Sequence, residues 1–440
     1  MAYIQGEARG QHTLFPSTLD ELIPADHVCR VIEAFVGKLK MDELGFVRAE
    51  PAETGRPGYD PRDLLKLYLY GYLHQVRSSR RLEAECRRNV EVMWLLGRLA
   101  PDYKSIAEFR RMHRDAMTKA GAALVRMARQ VGLVRGEWVA IDGSKFRAAS
   151  SAGAVREREA VKRYLDELES SDEQDEVVIN PSAVAAALEK IARHPEPEAR
   201  LMRMAHDRYA PAYNVQTAVD AEHGIIVAQQ VTTEAADNRS LQPMAEAAKA
   251  ALDNPETLNV VADAGYSNGE QAERCEEQGI LPHAPTNRAI NNKGDGTLFD
   301  RKLFIYDKKT DTFRCPADKE LRRKQLSRKD RCVIYATDLG VCDRCRLKKR
   351  CTTSSRRYIT RHLHEGALQR MNARATADIM RLRRCTVERP FALLKHVIFG
   401  NARFLLRGLA GAQVEISLAT MAYNLKTMMN VLGGTALARA

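Results

Sequence analysis

Three acidic residues in this 440-residue chain stand out for where they fall. Asp142 follows the apolar run Trp138-Val-Ala-Ile141, and Asp263 follows Val260-Val-Ala262. An ionised carboxylate at the end of a buried apolar strand is costly unless it is paired or bound to a cation. If the two strands lie side by side and parallel, their carboxylates converge. Hard cations such as Mg2+ or Mn2+ take that arrangement: few carboxylates, several waters and substrate phosphate oxygens. Two such ions a few ångströms apart activate an attacking oxygen and stabilise the leaving one in phosphoryl transfer. The plainer alternative for Asp142-Gly143 is a turn, which Asp-Gly often starts.

The third acidic residue is Glu388, in RLRRCTVERPFALLKHVIFG (381–400). Arg384, Glu388 and Lys395 are spaced by four and then seven residues, so in a helix they share a face. Such a glutamate, flanked by bases able to hold phosphates, is chemically coherent, although Arg–Glu pairs at this spacing are also common surface decoration.

The nine cysteines are uneven, five of them falling within residues 315–351. An odd count and no secretory leader argue against a disulfide framework. Cys342-x2-Cys345-x5-Cys351, with Cys315 upstream, offers four thiolates for a tetrahedral structural zinc. Cys332 is an extra candidate ligand, and reduced free thiols are the alternative.

These groups need elements to hold them. The chain carries a formal charge of +12, concentrated locally. Residues 48–130 hold 17 Lys and Arg against 10 Asp and Glu, and residues 356–408 hold 12 against 3. Local excess of this kind suits a polyanion-binding surface. Residues 1–130 read as helices, at 61–75 and 82–98 and in a further helix capped by Ser105. Their basic residues Arg77, Arg80, Arg81, Arg110 and Arg111 fit a helical DNA-binding module. A helical bundle with a solvated basic face would look the same. From Glu137 the texture becomes that of strands, with EWVAIDGSKFRA ending its apolar run at Asp142-Gly143. YNVQTAVD and IIVAQQVTT then form a hairpin, followed by alternating helix and strand to residue 286. This predicts an α/β mixed sheet over 131–286, with a charged helical insertion at about 150–205. Residues 287–365 form a basic, cysteine-bearing insertion, and 366–440 are C-terminal helices completing the core, the first running 366–396 until Pro390 disturbs it. No apolar run approaches the length needed to cross a bilayer. The N-terminal residues lack a secretory pattern, so a cytoplasmic protein is expected.

VAIDGSKFRA, YNVQTAVD, VVADAGYSN and Arg384-x3-Glu388-x6-Lys395 followed by FGNARFLLRGL occur in that order. Together they resemble the DDE transposases of bacterial insertion sequences, in the manner of the IS1182-like group of the IS4/IS5-related superfamily. The resemblance covers nearly the whole chain, including GRPGYDPRDLLKLYLYGYL in the N-terminal module. It implies an RNase H-like core in which Asp142, Asp263 and Glu388 bind two Mg2+ or Mn2+ ions, with Arg384 and Lys395 on phosphates. It implies metal-dependent cleavage and strand transfer, with terminal inverted repeats and target DNA as partners, a homodimer, and a nucleoid-associated bacterial protein. An inactive DNA-binding relative, or a nuclease without strand transfer, remain the alternatives. One departure stands: the superfamily often has Tyr three residues before the arginine, where this chain has Arg381. That puts a hairpin step in doubt and leaves Arg381 as a further phosphate contact.

Overall fold

Asp60-Pro61 opens a helix as its residues dictate. The Asp60 carboxylate accepts the Arg62 N–H at 2.8 Å, and Pro61 takes the first helical position, where an N–H has no partner anyway. The computed structural model describes residues 18–47, 58–153, 198–204, 208–286, 297–328 and 331–439, with isolated positions between 155 and 196. Among these, the N-terminal part is helical: α1 (Val28–Gly37), α2 (Met41–Leu44), α3 (Pro61–Leu73), α4 (Ser79–Arg88), α5 (Val90–Leu95), α6 (Tyr103–Met112) and α7 (Arg114–Gln130). The segment 82–98, expected as one helix, is broken at Asn89, which turns extended and caps the Glu91 and Val92 amides. The cap of α6 is Asp102 and not Ser105, because its carboxylate accepts from both Lys104 and Ser105.

The central sheet contains β1 (Trp138–Arg147), β2 (Arg200–Arg203), β3 (Tyr209–Asp220), β4 (Ile226–Thr232), β5 (Leu258–Val261) and β6 (Ile280–His283). Its order is β2-β3-β1-β5-β6, with β4 also on β3. β1 pairs antiparallel with β3 and parallel with β5, and β5 pairs parallel with β6. Helices α8 (Leu241–Ala251) and α9 (Gly269–Glu277) connect β4 to β5 and β5 to β6. A meander of antiparallel strands followed by strand–helix alternation is the mixed RNase H-like sheet the motifs imply. Most of the charged insertion expected at about 150–205 lies outside the described residues.

A second sheet follows, with β7 (Ile305–Asp307), β8 (Thr312–Arg314), β9 (Glu320–Ser327), β10 (Cys332–Ala336) and β11 (Tyr358–His362) in the order β11-β10-β9-β8-β7. The short α10 (Lys348–Cys351) precedes β11. This sheet has its own small core of Phe304, Phe313, Leu321, Val333, Tyr335 and Ile359. The helix expected over 366–396 is two, α11 (Glu365–Arg374) and α12 (Ala377–Ala392), parted at Ala375-Thr376. Beyond Pro390 the last turn widens into a π-helix, Leu393–Ile398.

Helix α13 (Leu409–Leu432) runs through the middle of the molecule, buried along most of its length. It packs on α7, α3 and β4, so N-terminal helices and sheet share one apolar core. On it, Asn424 accepts the Ile226 N–H at 3.0 Å and donates to the Ile226 carbonyl at 2.9 Å.

Candidate active site

β1 does not end at Asp142-Gly143. It continues to Arg147, paired with β3 throughout, and Asp142 stands opposite Thr217. Only its parallel pairing with β5 stops early, at Ala140 and Val261. Past that point the two strands part, and Asp142 and Asp263 flank the opening. Asp263 lies just after β5 and caps a 3-10 turn, Ala264–Tyr266, by accepting the Gly265 N–H at 2.7 Å. Asp142 Oδ1 accepts the Gly143 N–H at 2.9 Å.

The two carboxylates meet through a residue whose role the sequence did not single out. Arg383, on the inner face of α12, places Nη2 at 2.6 Å from Asp142 Oδ1 and 3.4 Å from Asp263 Oδ2. Burial pushes the Asp142 carboxyl up to about 6, against the pull of Arg383. A carboxylate so placed is only partly solvated, and that burial outweighs the cation beside it. Lys395 is the second cation at this centre. Its ammonium lies 5.6 Å from the centre of the Phe146 ring, and burial lowers its pKa while Asp142 opposes the change.

Glu388 is placed differently. It is exposed on α12, whereas Thr386 and Val387 beside it are buried. Five residues from Arg383 is about 140° around a helix, so the two side chains leave on different sides. Among the described residues no hydrogen bond or ion pair ties Glu388 to either aspartate. Arg384 and Arg381 are exposed too, but Lys395 is turned inward, so the shared face expected for 384, 388 and 395 is split. The cause is the π-turn at 393–398, whose wider winding rotates Lys395 out of α-helical phase.

A further acidic group, Asp237, also approaches. Its Oδ1 accepts from Asn214 Nδ2 at 2.7 Å and from Gln216 Nε2 at 2.6 Å. It belongs to the loop after β4, four residues beyond IIVAQQVTT, so it does not end an apolar run as Asp142 and Asp263 do.

Two of the five N-terminal arginines expected on DNA are structural. Arg77 is buried, donating to Glu415 at 3.0 Å and to the carbonyls of Arg403 and Phe399, each at 3.1 Å. Arg110 is buried above Tyr68 and donates to the Arg77 carbonyl at 3.3 Å. Both lost their place on the surface because Glu415, fully buried on α13, needs positive charge. Arg80, Arg81 and Arg111 are exposed.

Cys315, Cys342, Cys345 and Cys351 line one small cavity of about 20 Å³, although no three of their sulfurs lie within 4.8 Å of one another. The Lys319 N–H points at Cys315 Sγ, 3.3 Å away, and Cys342 to Cys345 forms a tight turn closed by a 3.2 Å backbone bond. Burial, with the three neighbouring cysteines adding to it, pushes the Cys351 thiol up to about 11. Cys332, on β10, is not among the residues lining the cavity. A separate group that sequence spacing did not reveal, His27, Cys29 and Glu91, sits in the N-terminal helices with ligand atoms within 4.8 Å of one another.

Residues 139–425 match a family model described as "Transposase DDE domain", and residues 17–112 match one described as "Transposase domain (DUF772)". No curated protein matches the chain. Among solved structures, a cryo-EM structure of a piggyBac transposase synaptic complex with hairpin DNA is similar at 9% identity and a TM-score of 0.34, covering 94% of this chain and 78% of that one. Among the described residues no helix is long and apolar enough to cross a membrane.

Proposed function

The chain belongs to the DDE transposases of bacterial insertion sequences, of the IS1182-like group, and from that premise we propose that it cuts DNA at the ends of its element and joins them to target DNA. The observation carrying this is the positive charge held between Asp142 and Asp263 by Arg383. Two carboxylates that converge where strands part, one of them poorly solvated, are a donor set that fits a hard divalent cation. Asp142 and Asp263 would hold it, and Glu388 would join once α12 shifts and Arg383 swings away. When bound, two such ions supply activation of the attacking oxygen and stabilisation of the leaving one.

The chain's own residues position the DNA. Lys395 keeps a positive charge beside Asp142, where a scissile phosphate would lie, and exposed Arg381 and Arg384 reach neighbouring phosphates. Water attacks the end phosphodiester, breaking one P–O bond as another forms. The freed 3′-hydroxyl then attacks target DNA the same way, so no covalent protein–DNA bond is needed. The N-terminal helices would read the terminal inverted repeats, and a homodimer would hold two ends. Acting on chromosomal DNA places the protein in the cytoplasm, at the nucleoid.

Incubation of labelled element ends with the protein and Mg2+ tests this. Cleavage should occur and fall at least about a thousandfold in Asp142→Ala and Asp263→Ala. Binding to the ends without any cleavage would instead mark an inactive DNA-binding relative.

The four cysteines at one cavity support a second, structural metal. Cys315, Cys342, Cys345 and Cys351 would hold zinc as four thiolates, bracing a second sheet whose apolar core is small.

A further inference from the structure

Residues 297–362 contain 20 Lys and Arg against 8 Asp and Glu, an excess of 12. That equals the formal net charge of the entire chain, so the other residues taken together are balanced. Like charges crowded onto one sheet repel, and the apolar core beneath this sheet is only six residues. Such a surface suits a polyanion, whose phosphates relieve the repulsion as counterions are released.

The excess has a focus. Asp318, beside Lys319 in the chain, pairs with Arg314 at 3.1 Å, and Asp343, beside Arg344, pairs with Lys348 at 2.5 Å. With those carboxylates engaged, exposed Lys319, Arg344 and Arg346 have no ion-pair partner among the described residues. Two sets of turns bring the three together. Between β8 and β9, the Cys315 N–H donates to the Lys319 carbonyl at 2.9 Å and the Asp318 N–H to the Cys315 carbonyl at 2.8 Å. From Asp338 to Lys348, the backbone N–H groups of Val341, Asp343, Cys345 and Lys348 each donate to the carbonyl three residues back, with Gly340 at φ +79°. An open groove of about 740 Å³ lies there, lined by Lys319, Arg344 and Arg346 with Ala317, Leu339 and Val341 beside them. Concave walls of one charge sign focus the field, and an arginine fork fits phosphate oxygens.

We propose that this groove grips the phosphate backbone of duplex DNA without reading its sequence, in addition to the contacts of α12 and the N-terminal helices. The inference rests on the DNA-acting reading given above. Charge complementarity carries it: three cations without partners share one groove, on the segment that holds the chain's whole net charge. No Asn, Gln, Asp or Glu lines the groove, so it lacks the side chains that commonly read adenine and cytosine edges.

Fluorescence anisotropy on the full-length protein, over a series of salt concentrations, tests it with two duplexes, one carrying the element end and one of unrelated sequence. In Lys319→Gln/Arg344→Gln/Arg346→Gln the fold should persist, checked by circular dichroism, because all three side chains are exposed. Affinity for both duplexes should drop about tenfold or more, and the slope of log affinity against log salt should fall by about 3. Lys308→Gln/Lys309→Gln removes two exposed charges from the turn between β7 and β8, outside the groove, and should lower the slope by less than about 0.5. If the triple variant binds both duplexes within about twofold of wild type with its slope unchanged, the inference is overturned. It is overturned equally if the double variant loses as much per charge, which marks a diffuse field and not a groove. A loss confined to the element end would mean sequence readout and would also sink it. If the wild-type protein binds neither duplex, the DNA-acting reading itself fails, a distinct result.

Discussion

Arg383 Nη2 stands 2.6 Å from Asp142 Oδ1 and 3.4 Å from Asp263 Oδ2, so a single guanidinium bridges both aspartates and offsets only part of their charge. On the proposed reading a divalent cation would lie at the same place, so the two positive charges would compete for it. Replacing Arg383 with a neutral side chain has two opposed consequences. In Arg383→Gln the metal-free protein should lose about 2–3 kcal/mol, since a buried carboxylate is left without its partner. Mn2+ should bind several-fold more tightly, and adding it should restore the melting temperature. Melting curves with and without Mn2+ check both. Equal stabilisation of wild type and variant by the metal would show that Arg383 is not the competitor.

The pH dependence of the metal-free protein follows from Asp142. Its folded pKa, pushed up to about 6 by burial, lies above the unfolded value of roughly 3.9. The folded state therefore holds the proton more tightly. The cost of the buried charge is absent below about pH 4, grows as pH rises through about 6, and is complete above it. Asp142→Asn removes that cost. In EDTA it should be more stable than wild type by about 2 kcal/mol at pH 8 and indistinguishable at pH 4. Denaturant titrations at the two pH values measure the difference.

Apolar runs announced the strands well, because buried strands of a mixed sheet need them on both faces. Asp142 and Asp263 were legible for the same reason: each interrupts such a run. What sequence could not give was which way helix α12 faces. Glu388, Arg384 and Lys395 share a face only if the helix stays α, and the π-turn after Pro390 separates them. Arg383 and Asp237 were missed because neither ends an apolar run or falls at a regular spacing, and their place is fixed only by long-range packing. Arg77 and Arg110 look like their exposed neighbours Arg80 and Arg111 until Glu415, more than 300 residues away, is found beside them.

The cysteine cavity makes a claim about composition. The purified protein should contain one zinc per chain, and Cys345→Ser should lose it. A strong chelator should loosen residues 305–362 to proteolysis, because the core beneath that sheet is six residues and cannot hold alone. The central sheet should survive, its core being separate. Elemental analysis with limited proteolysis decides it; full thiol reactivity with no bound zinc would mean free thiols.

Arginines of the N-terminal helices should separate into two classes. Arg77→Met leaves Glu415 buried without its partner and should cost about 3–5 kcal/mol of stability. Where the variant folds, its DNA affinity should depend on salt as wild type does, because a buried guanidinium releases no counterions. Arg80→Ala and Arg81→Ala remove exposed charge, so stability should change by less than about 0.5 kcal/mol. If these two meet phosphates, each loss should lower the slope of log affinity against log salt by about 1. Binding isotherms at four salt concentrations, beside denaturant melts of each variant, resolve the two classes. An unchanged slope in both exposed variants would move the DNA-binding face away from the start of α4.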